Sequence, residues 1–154
     1  MSIYIPKHFR PEELVDRATF AKWGAVSLRY FRPEILRALD WIRECYPSKG
    51  KRAINLNNWA FGGQSEWRGL RLPGSVDWKP YSAHSWGAAL DIVPQGITMD
   101  DMRAWILATH ADILREGHMD HPLMAIRRME IGTKNWAHID CLETNAAGIT
   151  MVSP

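Results

Sequence analysis

The sequence has little of several features that define large classes of protein. It contains two cysteines, Cys45 and Cys141, among 154 residues. This is typical of a chain that folds with reduced thiols, and a single bridge between the two is the alternative. No apolar run approaches the roughly 20 residues of a membrane helix, so we expect no membrane insertion. The net charge is only +2 and the basic residues are dispersed, so we expect no nucleic-acid partner, which would require a clustered basic face.

The amino terminus lacks the apolar segment of a secretory signal. Its first seven residues are Met, Ser, Ile, Tyr, Ile, Pro and Lys, which predicts synthesis in the cytosol without a signal peptide. A substrate outside the membrane would then require another factor to release the protein. The length and a hydrophobic fraction of 46% predict one globular domain over residues 1–154. We expect a monomer.

Three side chains that can bind a metal ion stand out in two segments. His84 and Asp91 lie seven positions apart in the first segment, and His138 lies in the second. Seven extended residues would span roughly 23–25 Å, whereas the ligands of one ion lie a few Å apart, so the chain must fold back between His84 and Asp91. Gly87 lies in that interval, where a positive φ costs least. Two nitrogens and one oxygen would leave one zinc position free for water, as in catalytic zinc sites.

Asp91 lies in a predicted apolar strand. Residues 90–93 predict a short buried strand in which Ala89, Asp91 and Val93 share one face. A carboxylate buried there needs a partner, because burial without one is costly. A metal ion is one such partner, and an arginine is the other.

The two segments resemble the signature of the zinc D-Ala-D-Ala-type peptidases. That family belongs to a wider group that includes lysostaphin-type enzymes and the amino-terminal signalling domain of hedgehog proteins. The matching residues are Ser82, His84, Gly87, Ala89, Asp91, Trp136 and His138. The resemblance implies that His84, Asp91 and His138 bind zinc. It also implies an α+β fold with a core at about residues 33–141, in which a small antiparallel sheet carries the metal site and helices pack on one side.

The resemblance also implies a substrate and a setting. It implies cleavage of peptide bonds in bacterial peptidoglycan stem peptides. Hydrolysis of a free D-amino-acid dipeptide is an alternative. A small single-domain member without a signal peptide resembles a bacteriophage lysis enzyme, which is released through a membrane pore and acts in the periplasm or cell wall. The alternative is a zinc-stabilised binding or virion-assembly module of the same fold that has lost activity.

The remaining elements are predicted from capping residues and periodicity. Proline followed by an acid predicts the start of a helix, and so does threonine three residues before an aspartate. Polar and apolar alternation predicts strands. The predicted helices begin at Pro11, run from Pro33 to about Tyr46 and run from about Met99 to Glu116, and the predicted strands are 52–57, 90–93, 123–130 and 136–141. We expect residues 142–154 to form a surface segment.

A long irregular segment, residues 58–83, precedes the first ligand. The segment contains Trp59, Trp67 and Trp78, and Trp86 follows it. These four tryptophans either line a groove or cover the core. The related peptidases carry an arginine here that binds a substrate carboxylate or carbonyl, and a guanidinium suits that task because its planar fork grips a carboxylate at two points. Arg71 is the first choice and Arg68 the alternative.

Two further residues are candidates for contact with the substrate. Ser82 is expected to hydrogen-bond near the first ligand or to touch the substrate. Trp136 shares its strand face with His138 and Asp140, because alternate residues of a strand point to the same side.

The general base is the point at which the sequence departs from the family. Several relatives place an acid three residues before the last ligand, where this chain has Asn135, and an amide cannot take up a proton. Glu130 is the first substitute, because a five-residue loop over 131–135 would pair it with Trp136 and place it diagonally near His138. Asp140 is the second, and it can instead act as an outer partner of a histidine.

Overall fold

The computed structural model describes residues 3–50 and 52–154. Within them the chain forms four α-helices and a five-stranded sheet, which confirms the α+β class. The helices are α1 (Pro11–Leu14), α2 (Arg17–Trp23), α3 (Pro33–Cys45) and α4 (Met99–Glu116), and the strands are β1 (Ile54–Asn55), β2 (Ala89–Pro94), β3 (Arg128–Glu130), β4 (Ala137–Asp140) and β5 (Thr150–Val152). Among these residues, no helix has the length and apolar character needed to cross a membrane.

The sheet has the strand order β1-β2-β4-β3-β5 and is mixed. Neighbouring strands are antiparallel except β3 and β5, which are parallel. The predicted antiparallel sheet is therefore corrected at one edge. The segment after residue 142 lies at the surface as predicted, but it contains the strand β5, which the sequence did not predict. Backbone hydrogen bonds hold this strand, from Ile131 N to Val152 O (3.0 Å) and from Thr150 N to Arg127 O (2.8 Å). Three residues without a clear alternation carry too little pattern to predict such pairing.

Two other predicted strands are shorter than expected. β1 covers two residues of the predicted 52–57, and β3 covers only the end of the predicted 123–130. A 3-10 helix, Pro122–Ala125, replaces the first part of the latter, and the His121 side chain caps it by accepting a hydrogen bond from Leu123 N. Pro122 lacks a backbone N–H for a strand ladder, which favours the helical turn.

Helices α3 and α4 begin and end as their sequences predict. Pro33 is at the first position of α3, and the side chain of Thr98 caps α4 by accepting a hydrogen bond from Asp101 N. Their buried residues include Ile35, Leu36, Leu39 and Ile42 in α3 and Met102, Ile106 and Ile113 in α4. The core extends before residue 33, because Phe9, Leu14, Val15, Leu28 and Phe31 are also buried in it. Both cysteines are free: Cys45 is exposed and Cys141 is buried.

A sharp turn after a 3-10 helix, Ala83–Trp86, brings the first ligand segment back toward the sheet. Gly87 ends that helix with φ 62°, as the sequence predicts. Its carbonyl accepts a hydrogen bond from Arg32 N at 2.9 Å. A Cβ at this position would lie 1.9 Å from the carbonyl oxygen of Tyr30. Glycine is therefore needed both for the backbone conformation and for the close approach of the two segments.

Gly87→Ala should destabilise the fold by at least ~2 kcal/mol, because it adds a backbone clash to the left-handed conformation, which alone costs roughly 1–2 kcal/mol. Urea unfolding monitored by circular dichroism measures the change. Gly132→Ala is the matched control, since Gly132 also has a positive φ (81°) but a Cβ there would meet nothing within 4 Å. Equal losses in the two variants would contradict a role for the close approach at Gly87.

Candidate metal centre

The structure brings His84, Asp91 and His138 together. The Nε2 atom of His84 lies 3.3 Å from Asp91 Oδ1 and 3.3 Å from His138 Nδ1, and His138 Nδ1 lies 2.8 Å from Asp91 Oδ1. All three residues are buried. Donors arranged tetrahedrally at zinc's usual distances of roughly 2.0–2.1 Å would lie about 3.3 Å apart. These three residues could therefore hold one metal ion.

The pairing of β2 with β4 places two of the three ligands side by side. Asp91 is the partner of His138 in the antiparallel register, so both side chains leave the same face of the sheet. The Asp91 N–H donates a hydrogen bond to Arg68 O at 2.8 Å, which joins this strand to the irregular segment before it.

The backbone around His84 fixes the orientation of its ring. The Ser82 hydroxyl accepts a hydrogen bond from His84 N at 3.3 Å and caps the 3-10 helix. The ring Nδ1 lies 2.8 Å from the carbonyl oxygen of Gly69. A carbonyl can only accept, so Nδ1 carries the hydrogen and Nε2 presents its lone pair to the other two ligands.

Gly69 is a part of the site that sequence reasoning missed. A Cβ on Gly69 would lie 1.9 Å from the carbonyl oxygen of Leu14. The absence of a side chain lets the segment that orients His84 pass close to α1. A lone glycine in a loop gives no signal of this kind in a single sequence.

Asp91 has two sets of partners, and they include an arginine, which is one of the two alternatives raised for it from sequence. Its Oδ1 meets the two histidines, and its Oδ2 accepts a hydrogen bond from Arg71 Nη2 at 3.1 Å. Arg71 is held in turn by a hydrogen bond from its Nε to Trp67 O at 2.6 Å. Burial by itself raises the pKa of Asp91, but the close contacts with His138 and His84 outweigh it and hold the pKa well below its usual range. The carboxylate is thus ionised and suited to bind a cation.

His138 is held from its far side by Asp140, which is itself gripped by Arg128. His138 Nε2 lies 3.3 Å from Asp140 Oδ2, and Arg128 Nε donates to both Asp140 oxygens at 2.9 and 3.0 Å. Asp140 is only 1% exposed. A carboxylate behind a metal-binding histidine fixes the tautomer and leaves the other nitrogen for the ion. The sequence identified Asp140 as an outer partner of a histidine but missed Arg128.

The charges around His138 favour its protonated form when no cation is bound. Burial lowers the pKa of His138, but hydrogen bonds to Asp140 and Asp91 raise it more, to about 9. For Asp140 burial raises the pKa, and the hydrogen bonds from His138 and Arg128 lower it overall. A metal ion would take the place of the proton between His138 and Asp91.

Glu130 lies on the metal face of the sheet, nearer to His138 than the sequence predicted. Arg128 pairs with Asp140 and Met129 with Ile139, and one further step in this register places Glu130 opposite His138. The predicted pairing with Trp136 is wrong by two residues, because the connection after β3 extends through residue 136 and β4 begins at Ala137. A shift of two residues keeps the side chain on the same face.

Buried Arg103 stabilises this connection from α4. Its Nε donates to Glu130 O at 3.0 Å, and its Nη2 donates to Trp136 O at 2.8 Å and to the carbonyl and hydroxyl of Thr133. One side chain therefore ties the end of β3 to the start of β4. Sequence reasoning assigned α4 to core packing and did not find this contact.

The three candidate metal ligands lie in the wall of an open cavity of about 410 Å³. Four residues proposed from sequence as catalytic or substrate-binding also line it, together with Asp140: Arg71, Ser82, Glu130 and Trp136. Arg68 lines an adjoining cavity. Asn135 is exposed and lies outside the lining of both.

The sequence predicted that the tryptophans of the irregular segment either line a groove or cover the core, and the structure shows one of each kind. Trp67 lines the adjoining cavity. Trp59 instead packs on Phe20 of α2 and donates its indole N–H to Val15 O at 2.9 Å. Trp78 and Trp86 are exposed outside both cavities.

Comparisons of the chain with models of protein families, with curated proteins and with solved structures find no match. The geometry of the site therefore carries the functional argument.

Purified wild-type protein should bind about one zinc ion per chain, and His84→Ala should lose it, because two ligands remain where three are needed. Elemental analysis after dialysis against trace zinc measures the stoichiometry. His118→Ala is the matched control, since His118 is exposed and lies outside the cluster. Equal zinc content in wild type and His84→Ala would contradict the assignment.

Asp140→Asn and Arg128→Ala should each weaken zinc binding by roughly 10–100-fold, because His138 loses the partner that orients its ring. Competition with a chromophoric chelator measures the Kd. Arg115→Ala serves as control for charge, since Arg115 pairs with Asp112 at the surface. An unchanged Kd in both variants would show that the outer carboxylate does not support the ligand.

Proposed function

We propose that the protein is a zinc-dependent metallopeptidase that cleaves peptide bonds in bacterial peptidoglycan stem peptides. The observation that carries the proposal is the convergence of His84, Asp91 and His138 on one point in the wall of an open cavity. When bound, zinc supplies a Lewis acid that polarises the scissile carbonyl and acidifies water. The two sequence motifs, which resemble those of the D-Ala-D-Ala-type peptidases, supply the choice of peptidoglycan as substrate.

Glu130 is the general base of the proposed mechanism. It lines the cavity opposite His138, and in the described part of the chain its carboxylate has no hydrogen bond or ion pair. A carboxylate in this position is free to take a proton from water and to pass it to the leaving amine.

Asp140 is a positioning residue in this mechanism. Its two oxygens accept hydrogen bonds from Arg128 Nε and, at 3.0 Å, from Leu142 N, and they also face His138. A carboxylate with all these partners has little capacity to accept a further proton. The different surroundings of Glu130 and Asp140 thus divide the two roles between them.

Arg71 and Trp136 hold the substrate in the proposed complex. Both line the cavity beside Asp91. Arg71 uses Nε and Nη2 within the protein, which leaves Nη1 to donate to a substrate carbonyl. The Trp136 side chain offers an apolar surface next to it. Ser82 acts through His84, because its hydroxyl accepts a hydrogen bond from the His84 backbone N–H.

The finer fold assignment and the biological setting belong to the same proposal. The antiparallel pairing of β2 with β4 and helices packed against the sheet support a hedgehog or D-Ala-D-Ala peptidase-like arrangement. Action as a bacteriophage lysis enzyme, in the periplasm or cell wall after release, rests on the resemblance of the two motifs.

A second candidate function is a zinc-stabilised binding or virion-assembly module. The observation that favours it is the amide at position 135, three residues before His138, where several relatives carry an acid. In such a module the ion would contribute to folding, and Glu130 would have no role in turnover.

Glu130→Gln should lower turnover by roughly 10²–10⁴-fold with unchanged zinc content, because the amide cannot accept a proton but fills the same space. New amino termini released from purified peptidoglycan measure turnover. Glu116→Gln is the control, since Glu116 is exposed at the end of α4.

Each other result has a defined meaning. Full turnover in Glu130→Gln would exclude this residue as the base. A zinc-loaded wild-type protein that binds peptidoglycan and releases no amino termini would favour the binding module.

A further inference from the structure

A separate cavity of about 390 Å³ is formed by α2 and the loop that follows Arg71. We call it the α2 cavity. One part of its lining comes from α2, from Asp16 before it and from Tyr30, and the other part is the loop of residues 72–75. None of these residues lines the two cavities at the candidate metal centre. The volume is within the roughly 300–1,000 Å³ that is usual for small-molecule sites.

Two aromatic rings form an exposed part of this lining. Trp23 and Tyr30 are 39% and 38% exposed, and their ring centroids lie 5.9 Å apart with the planes at 68°. The face of an aromatic ring carries partial negative charge. It therefore attracts C–H groups that carry partial positive charge, such as those on the apolar face of a sugar ring.

Polar groups lie beside the two rings. The Ser75 hydroxyl oxygen is buried and has no hydrogen-bond partner among the residues that the structure describes. Buried hydroxyl groups in native proteins are almost always hydrogen-bonded, so this one needs a partner from outside the chain. Asp16 is 1% exposed, and each of its carboxylate oxygens accepts one hydrogen bond from Thr19. Each oxygen therefore keeps a further acceptor site.

The charges of the lining favour an uncharged ligand. Its two charged residues, Asp16 and Lys22, have opposite signs, so the cavity has no net charge to attract an ion. An anion would meet the Asp16 carboxylate, and a wholly apolar segment would leave the Ser75 hydroxyl without a partner. A sugar ring has an apolar face for the aromatic rings and hydroxyl groups that both donate and accept hydrogen bonds. The lining therefore matches a carbohydrate.

The α2 cavity is joined to the metal centre through the backbone. Leu72, in its lining, directly follows Arg71, whose N–H donates to the carbonyl of His84 at 3.3 Å. The carbonyl oxygen of Tyr30 lies against Gly87, where a Cβ would approach it to 1.9 Å. Both parts of the lining are thus fixed to the 3-10 helix that carries His84. A ligand in the α2 cavity has a defined position relative to the metal centre.

We propose that the α2 cavity binds a sugar ring of the peptidoglycan glycan strand, the polymer to which the stem peptides are attached. The proposal goes beyond the peptidase function by adding a carbohydrate site to the same domain. The choice of the glycan strand as the carbohydrate rests on that function. Binding here is non-covalent, and no bond of the sugar is made or broken.

The test measures binding of an N-acetylglucosamine tetrasaccharide to zinc-loaded full-length protein by isothermal titration calorimetry. We expect saturable binding to wild type and a Kd about tenfold higher in Trp23→Ala, because loss of an aromatic anchor commonly costs that much affinity. Trp78→Ala is the matched control. Trp78 is 38% exposed and lies outside the α2 cavity, so the variant should keep the wild-type Kd.

A second variant blocks the cavity without removing an aromatic contact. Ala18 is exposed on α2 and lines the cavity. Leucine is also a good helix former and takes up more of the space, so Ala18→Leu should raise the Kd at least about fivefold with an unchanged circular dichroism spectrum. The absence of saturable binding to wild type, or a wild-type Kd in both Trp23→Ala and Ala18→Leu, would overturn the proposal.

Cleavage of a soluble stem peptide that carries no sugar tests the peptidase function separately. Cleavage of this peptide by a wild-type protein that does not bind the tetrasaccharide would overturn the carbohydrate site alone. Tetrasaccharide binding that weakens in both cavity variants, without cleavage of the peptide, would support the carbohydrate site and count against the peptidase function.

Discussion

The register between β2 and β4 is the constraint on which the site depends. It places Asp91 beside His138 although 47 positions separate them in the chain. A slip of one residue would turn one of the two side chains to the opposite face of the sheet and leave a buried charge without its partner. His84 then needs only a short helix and a turn at Gly87 to reach the same point. The packing of the rest of the domain keeps these strands in register.

Charge pairing makes it possible to bury so many ionisable groups together. Two carboxylates, Asp91 and Asp140, are each matched by an arginine, and His138 lies between them. Each carboxylate therefore stays ionised despite its burial, because the pairing outweighs the cost of desolvation. The arginines hold the carboxylates, the carboxylates hold the histidine rings, and the open side of the cluster faces the cavity. The geometry of the three candidate ligands is in this way set by contacts within the protein.

The same pairing determines which groups remain for a substrate. Arg71 and Arg128 each pair with a protein carboxylate, and Arg71 keeps only Nη1 for a substrate, whereas Glu130 and Lys79 line the cavities without ion-pair partners in the described part of the chain. A carboxylate without a partner can exchange a proton, and an ammonium without a partner can attract an anion, and both capacities suit the proposed peptidase function. The division follows from position on the sheet and in the loop, since Asp140 and Arg128 carry the same charges but support the candidate ligand His138.

The sequence alone determined the ligand candidates and the main helices. His84, Asp91 and His138 could be chosen because metal binding depends on side-chain type, and α3 and α4 because capping and periodicity are local properties. In the structure, the side chains of these three residues lie close together. Only the tertiary structure decided that Arg128 supports Asp140, that the Gly69 carbonyl orients His84, that Glu130 lies opposite His138, and that β5 joins the sheet. These contacts join residues through strand register and close backbone approach, which depend on how the whole chain packs and leave no periodic trace in a single sequence.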